Sequence, residues 1–270
     1  MPALANISGQ PPAAQQTSRC ALVLHGLNTD PDKMIELAQF SEKFGYKTRL
    51  GVLTGHHTRE TAEDSQKKIS AEQWQNDFTL DWAQAIQNCI ADTSERLFIG
   101  YSLGALAALN YFDQDETKLL PTKMILIAPA LAFRKKTALI RMLTWLPFGA
   151  IPSFNHPDYR AQAWTSLASY KALFELNAAW QKIAWQRIGK IPTLVVLAAQ
   201  DELVDSQAVE NEIRAHAADT WKSIWLSNED SELHPRYFHL MIDSKSIGNA
   251  MWQKFTSDAA NFLKKDFKGR

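Results

Sequence analysis

The chain lacks any run of about 18 consecutive apolar residues, so no segment reads as a membrane-crossing helix. It also lacks an excess of either charge: Lys+Arg and Asp+Glu both number 29, for a formal net charge of zero. With no dense basic run, the sequence argues against a nucleic-acid partner and for a small molecule. Cysteine is scarce. Cys20 and Cys89 alone, in 270 residues, make neither a disulfide framework nor a zinc ligand set. Both are expected to be reduced packing residues, since free cysteine usually behaves as a small buried hydrophobe. Residues 1–18, MPALANISGQPPAAQQTS, lack the basic and continuous apolar regions of a secretory signal. They read as a flexible leader, and a cytoplasmic location is expected. His56, His57, His156 and His216 show no ligand spacing with cysteines or carboxylates, so neither a metal nor a cofactor is expected.

What is present is alternation. Short apolar runs at Cys20–Leu24, Tyr46–Leu53, Arg96–Ile99, Lys123–Ile127, Thr193–Ala199 and Lys222–Leu226 read as strands. Between them, longer amphipathic stretches at Asp32–Phe44, Ala71–Ala91, Leu103–Phe112, Ser206–Ala217 and Lys245–Lys264 read as helices. This predicts an α/β fold with a mostly parallel sheet covered on both faces. From Leu131 to Gly189 the alternation stops: no strand-like run appears, and Trp145, Phe148, Phe154, Tyr159, Trp164, Tyr170, Phe174, Trp180 and Trp185 crowd the interval. That length is too great for a simple loop and predicts an inserted helical subdomain. Its aromatics serve either to glue short helices to the body or to line a ligand pocket. The segment ALIRMLTWLPFGAI (138–151) suits a packed helix or a transient lipid contact. The organisation expected is a leader (1–18), a core in two parts (19–130 and 191–270) and a helical cap (131–190).

Within RLFIGYSLGALAAL (96–109), Ser102 sits between two glycines where strand-formers give way to helix-formers. That is the context of a nucleophile elbow, in which glycines make room for a serine forced into an unfavourable backbone region. Ser102 then also stands at a helix N-terminus, where free N–H groups favour a developing oxyanion. A serine hydroxyl needs a base to take its proton, and the base needs an acid to orient it. The strand TLVVLA runs into Asp201, and RYFHLMID places His239 before the last helix. Asp205, four residues on, is expected to cap the following helix with Ser206. His234, beside Pro235 in a polar stretch, is the competing base, and His239 is preferred. After the first strand, His25-Gly26 permits a sharp turn, so that the N–H of Leu27 joins that of Leu103 as an oxyanion donor. His25 is expected to fix that turn. His25, Gly26 and Tyr101, with Trp145 and Phe148 from the insertion, are the expected substrate-contacting positions.

The stretches LVLHGL (22–27), GYSLGA (100–105), AAQDELVD (198–205) and FHLMID (238–243) resemble the α/β-hydrolase superfamily, in its carboxylesterase and monoacylglycerol-lipase-like branch. The resemblance implies Ser102 as nucleophile, Asp201 as acid, His239 as base, Leu27 and Leu103 as oxyanion donors, and the insertion as a cap. It implies hydrolysis of a carboxylic ester with an apolar acyl chain. A thioesterase or lysophospholipase using the same triad, or a non-catalytic ligand-binding protein, are the alternatives. The chain departs from the branch in two places: LTGHHT carries His57 where a glycine is usual, and the interval from Asp201 to His239 is long.

Overall fold

The computed structural model describes residues 18–56, 69–114, 118–146, 148–227, 231–233 and 236–265. The leader before residue 18, His57 and His234 lie outside them. The elements follow in chain order as strand β1 (Arg19–Leu24), helix α1 (Ile35–Glu42), β2 (Lys47–Gly51), α2 (Ala71–Ile86), β3 (Glu95–Tyr101), α3 (Leu103–Gln114) and β4 (Lys123–Ile127). Then come α4 (Thr137–Leu143), β5 (Ala150–Pro152), β6 (Trp164–Ser166), α5 (Leu167–Trp180), β7 (Thr193–Ala198), α6 (Ser206–His216), β8 (Trp221–Leu226), α7 (Ser244–Ile247) and α8 (Asn249–Lys264).

Six strands form one parallel sheet in the order β2-β1-β3-β4-β7-β8. Every residue of β4 and β7 is buried, as a central strand covered on both faces requires, while the edge strands β2 and β8 carry exposed positions. Because successive side chains alternate between faces, β1 and β3 feed two cores. Leu22, Leu24 and Phe98 pack with Trp74, Phe78, Trp82 and Phe112 under α2 and α3. Ala21, Val23, Leu97 and Ile99 pack with Phe40 and Phe255 under α1 and α8. The strand order reverses beside β1, whose sequence neighbour β2 and next parallel partner β3 lie on opposite sides of it. The carboxyl ends of β1 and β3 therefore open onto a crevice at a switch point, the usual ligand position in such sheets.

The structure corrects three expectations. Cys20 and Cys89 are joined in a disulfide that ties the start of β1 to the turn after α2. Both are almost fully buried, but as a crosslink, not as free thiols. Disulfides ordinarily persist in oxidising compartments, which sits against the cytoplasmic expectation. Second, the insertion is not purely helical: β5 and β6 pair antiparallel, Ala150 with Ser166 and Pro152 with Trp164. Two three-residue strands are too short to show a period in sequence. Third, the last helix is broken at Gly248 (φ 81°) into α7 and α8, and α7 carries its own capping box from Asp243 and Ser246. As expected, Asp205 caps α6 by accepting from the Ala208 N–H. No helix among the described residues is long and apolar enough to cross a membrane.

Candidate active site

Strand β3 ends at Tyr101 and helix α3 begins at Leu103, leaving Ser102 as the hinge with φ 50°, in the left-handed region that non-glycine residues rarely adopt. The strain is held by the Ser102 N–H donating to Ile127 O (2.9 Å) and by Ser102 O accepting from Leu106 N and Ala130 N. The loop after β1 lies directly against this elbow. A Cβ on Gly104 would stand 2.6 Å from the carbonyl oxygens of Leu24 and His25, and one on Gly26 would stand 2.7 Å from the Tyr101 ring. Only glycine permits that approach, and through it Leu27 and Leu103 reach the same corner of the fold.

Asp201 and His239 arrive from the far side. Asp201 follows β7 and is fully buried; its Oδ1 accepts from the N–H groups of Leu203 and Val204, each at 2.8 Å. Its Oδ2 lies 2.8 Å from His239 Nδ1, and His239 Nε2 lies 2.8 Å from Ser102 Oγ. A carboxylate oxygen only accepts, so the Nδ1 proton faces Asp201 and Nε2 is left to accept from the serine hydroxyl. The three residues sit far apart in the chain and form one hydrogen-bonded line. Burial works to lower the His239 pKa, but the charge and hydrogen bond of Asp201, with the charge of Glu202, outweigh it and hold the imidazole above its ordinary value. Tyr101 packs its ring 5.3 Å from that of His239, and burial raises its own pKa well above the ordinary range, with Asp201 and Glu202 adding to the shift.

The sequence assigns no role to two neighbours of this line. Glu202 Oε2 accepts from the His239 backbone N–H at 2.9 Å, and burial raises its carboxyl above the usual range despite the opposing His239 charge. Arg134, at the base of the insertion, donates through Nε to Asp201 O and through Nη2 to Ala199 O (3.0 Å), clamping the turn that presents Asp201. His25 is fully buried and stabilises its own turn: Nε2 accepts from Leu53 N (3.1 Å), so Nδ1 donates to Gly26 O (2.8 Å).

A cavity of about 50 Å³ opens beside Ser102. The core contributes Leu27, Tyr101 and His239 to its wall; the insertion contributes Phe133, Ile140, Phe154, Tyr170, Leu173 and Phe174. Of the expected substrate-contacting positions, Tyr101 lines this cavity. His25 and Gly26 lie beneath it as turn residues, and Trp145 and Phe148 are instead 90% and 82% exposed. Trp145 borders a second cavity, with Ser70, Leu167 and Lys171. The aromatics of the insertion thus divide: Tyr159, Trp180 and Trp185 are buried glue, Tyr170 and Phe174 line the cavity, and Trp145, Phe148 and Trp164 face outward. Among the described residues, no group of three or more His, Cys, Asp or Glu side chains is placed to hold a metal ion.

No protein-family profile and no curated protein sequence matches the chain. Solved structures do. A metagenome-derived lipolytic enzyme from the work on LipS and LipT superposes with a TM-score of 0.70 at 19% identity, covering 93% of this chain and 97% of that one. A soluble variant of monoglyceride lipase from Saccharomyces cerevisiae, in complex with a substrate analog, gives 0.69 at 14% identity over 93% and 87%. Est1E from Butyrivibrio proteoclasticus, with ferulic acid bound, gives 0.56 at 14% identity over 92% and 88%. Likeness at such identities speaks to architecture, and it agrees with the six-stranded parallel sheet and the helices around it: the chain has the α/β-hydrolase fold.

Proposed function

We propose that the chain is a serine hydrolase of carboxylic esters with an apolar acyl group. The observation that carries this reading is the line Ser102 Oγ, His239 Nε2, Nδ1, Asp201 Oδ2, with both contacts at 2.8 Å, ending on a left-handed serine at a helix start. In the mechanism, His239 takes the Ser102 proton as Oγ attacks the ester carbonyl, and Asp201 stabilises the resulting imidazolium. The tetrahedral oxyanion is held by the N–H groups of Leu27 and Leu103, with the positive end of α3 adding to the field. His239 then gives the proton to the departing alkoxide, and the acyl group stays on Ser102. Water, deprotonated by the same imidazole, attacks the acyl-enzyme and releases the acid.

The apolar acyl preference is supported by Phe133, Ile140, Leu173 and Phe174 in the cavity wall, all from residues 131–190, which serve as the cap. Lipolytic and ester-cleaving proteins among the structural neighbours support it too. The test is a chain-length series of p-nitrophenyl esters beside a monoacylglycerol and an acyl-CoA, for the wild type and Ser102→Ala. Preference for medium or long acyl esters is expected; equal turnover by the alanine variant would overturn the reading.

The raised His239 pKa sets a pH dependence. An imidazolium cannot accept the serine proton, so kcat/KM should fall as pH drops through a midpoint above the ordinary histidine value of about 6.5. Stability runs the other way: a raised folded-state pKa contributes stability that is complete below the unfolded value and is lost as pH rises through the folded one. A pH profile of kcat/KM with its acid limb at or below about 6.5 would contradict this.

The cap also presents a surface suited to transient lipid contact. Met142, Trp145, Leu146, Phe148 and Trp164 are all more than half exposed. From Leu131 to Pro157 the sequence carries Arg134, Lys135, Lys136 and Arg141 and no acidic residue. Exposed aromatics beside cations favour an anionic interface. Flotation with phosphatidylglycerol-containing vesicles should exceed flotation with phosphatidylcholine alone, and the double change Trp145→Ser, Phe148→Ser should weaken it roughly tenfold or more. Equal flotation of the double variant would remove the cap as the contact.

A further inference from the structure

The loop carrying Leu27 is not held by the core alone. Gly26 O accepts from His25 Nδ1 (2.8 Å) and from Thr29 N (3.2 Å). In a trans peptide the C=O and the following N–H point in opposite directions, so these two bonds set the direction of the Leu27 N–H. The next two carbonyls are held by the insertion. Asn155 Nδ2 lies 2.9 Å from Leu27 O, 2.8 Å from Asn28 O and 3.2 Å from Thr29 Oγ1, so one amide group spans three consecutive residues. Asn28 itself is in the left-handed region (φ 50°). Its side chain closes a reciprocal pair with the Gln162 backbone, donating to Gln162 O (2.8 Å) and accepting from Gln162 N (2.9 Å), and also donates to Thr165 Oγ1 (3.0 Å). Ala161 N donates to Asn28 O, Asp30 N to Tyr159 O, and Thr29 bridges Arg160.

We infer that Asn155 is a positioning residue for the oxyanion hole: reaching in from the cap, it fixes the 27–29 backbone and so the orientation of the Leu27 N–H. This rests on the serine-hydrolase reading, because only that chemistry needs a donor there. The physical case is that this loop turns through a strained residue, and strain persists only where surrounding contacts over-determine it. Without the Asn155 amide, two carbonyls and a hydroxyl lose a shared donor, and the turn is free to relax toward a peptide orientation that leaves the tetrahedral oxygen with one donor. The cap is then more than a cover. Its 153–165 segment is part of the catalytic scaffold, while the exposed α4 face lies outside the brace.

The experiment compares wild type, Asn155→Ala and the isosteric Asn155→Asp, which replaces the donor by an oxygen facing three oxygens. Steady-state kinetics on one p-nitrophenyl ester are paired with the affinity of an alkyl trifluoromethyl ketone, which forms a tetrahedral adduct with a serine nucleophile. Loss of a whole oxyanion donor costs about a hundredfold to a thousandfold in kcat, so misaligning one should cost about tenfold to a hundredfold. KM should change by much less, and ketone affinity should fall in parallel with kcat/KM, as it does when transition-state stabilisation is what is lost. A residue serving stability alone would lower the melting temperature without that parallel. Thr165→Val, nearly isosteric, removes one Asn28 bond together with the Thr165–Tyr170 side-chain hydrogen bond. Read beside Tyr170→Phe, which removes only the latter, it should give the same pattern at a few-fold and serves if the Asn155 variants do not fold. Unchanged kcat and ketone affinity in a folded Asn155 variant, or a kcat loss with ketone affinity intact, would overturn the inference while leaving the hydrolase reading in place. A wild-type protein that forms no adduct and keeps its activity as Ser102→Ala would overturn both.

Discussion

Ser102→Ala should lower kcat by about 10⁶-fold, the order of magnitude seen when the nucleophile of such a triad is removed, while leaving the fold intact. The effect is large because the Oγ atom is the point where the chemistry converges. Without it His239 has no hydroxyl to deprotonate, and catalysis falls to what the oxyanion donors and ester binding supply to a water molecule. Stability should not suffer in proportion. Ser102 Oγ makes one hydrogen bond, to a histidine already held by Asp201 Oδ2 and, through its backbone N–H, by Glu202. Alanine at φ 50° bears the same backbone strain as serine, so the elbow itself is not relieved. Circular dichroism and thermal melting should therefore be nearly superimposable with the wild type, and labelling by a fluorophosphonate should be abolished. An alanine variant that retained labelling would place the nucleophile elsewhere.

The second large effect concerns stability alone. Breaking the Cys20–Cys89 crosslink should destabilise the protein by ~4 kcal/mol, the chain-entropy value for a bridge closing a 69-residue separation. For a chain of 270 residues that corresponds to a drop of about 8 °C in melting temperature. Activity below the transition should be unchanged, because Cys20 lies four residues before the end of β1, roughly 13 Å along the strand from the loop that carries Leu27. Both sulfurs belong to residues at most 2% exposed, so reductant added to the folded protein should act slowly, in step with opening. The paired change Cys20→Ala, Cys89→Ala, followed by calorimetry and ester turnover, checks it. A variant that melts with the wild type would mean the bridge contributes nothing to stability.

The three residues of the hydrogen-bonded line could each be picked out in the sequence because each is tied to a local pattern. Ser102 is announced by glycines and a change from strand to helix, Asp201 by a strand running into an acid, and His239 by chain order and the apolar residues after it. The preference for His239 over His234 agrees with the 2.8 Å contact to Ser102, although His234 lies outside the described residues. Glu202 was adjacent to a flagged residue, yet its acceptance of the His239 N–H depends on two loops meeting. Trp145 and Phe148 show the opposite failure: aromatic content suggested a pocket lining, and the structure leaves both facing outward.

By itself, then, the amino-acid order determined the α/β alternation and the elbow, because backbone periodicity and turn sterics act over a few neighbouring residues. It marked Asp201 and His239 by position, while the 2.8 Å contacts that join them to Ser102 came from packing across up to 137 residues. Only the tertiary structure decided the Cys20–Cys89 bridge, the Asn155 brace and the pairing of β5 with β6. Those contacts join residues 12 to 128 positions apart by the packing of whole elements. Spacing along the chain carries no signal for that, since the side chains involved, a thiol and an amide among them, are common and meet only after the sheet has assembled.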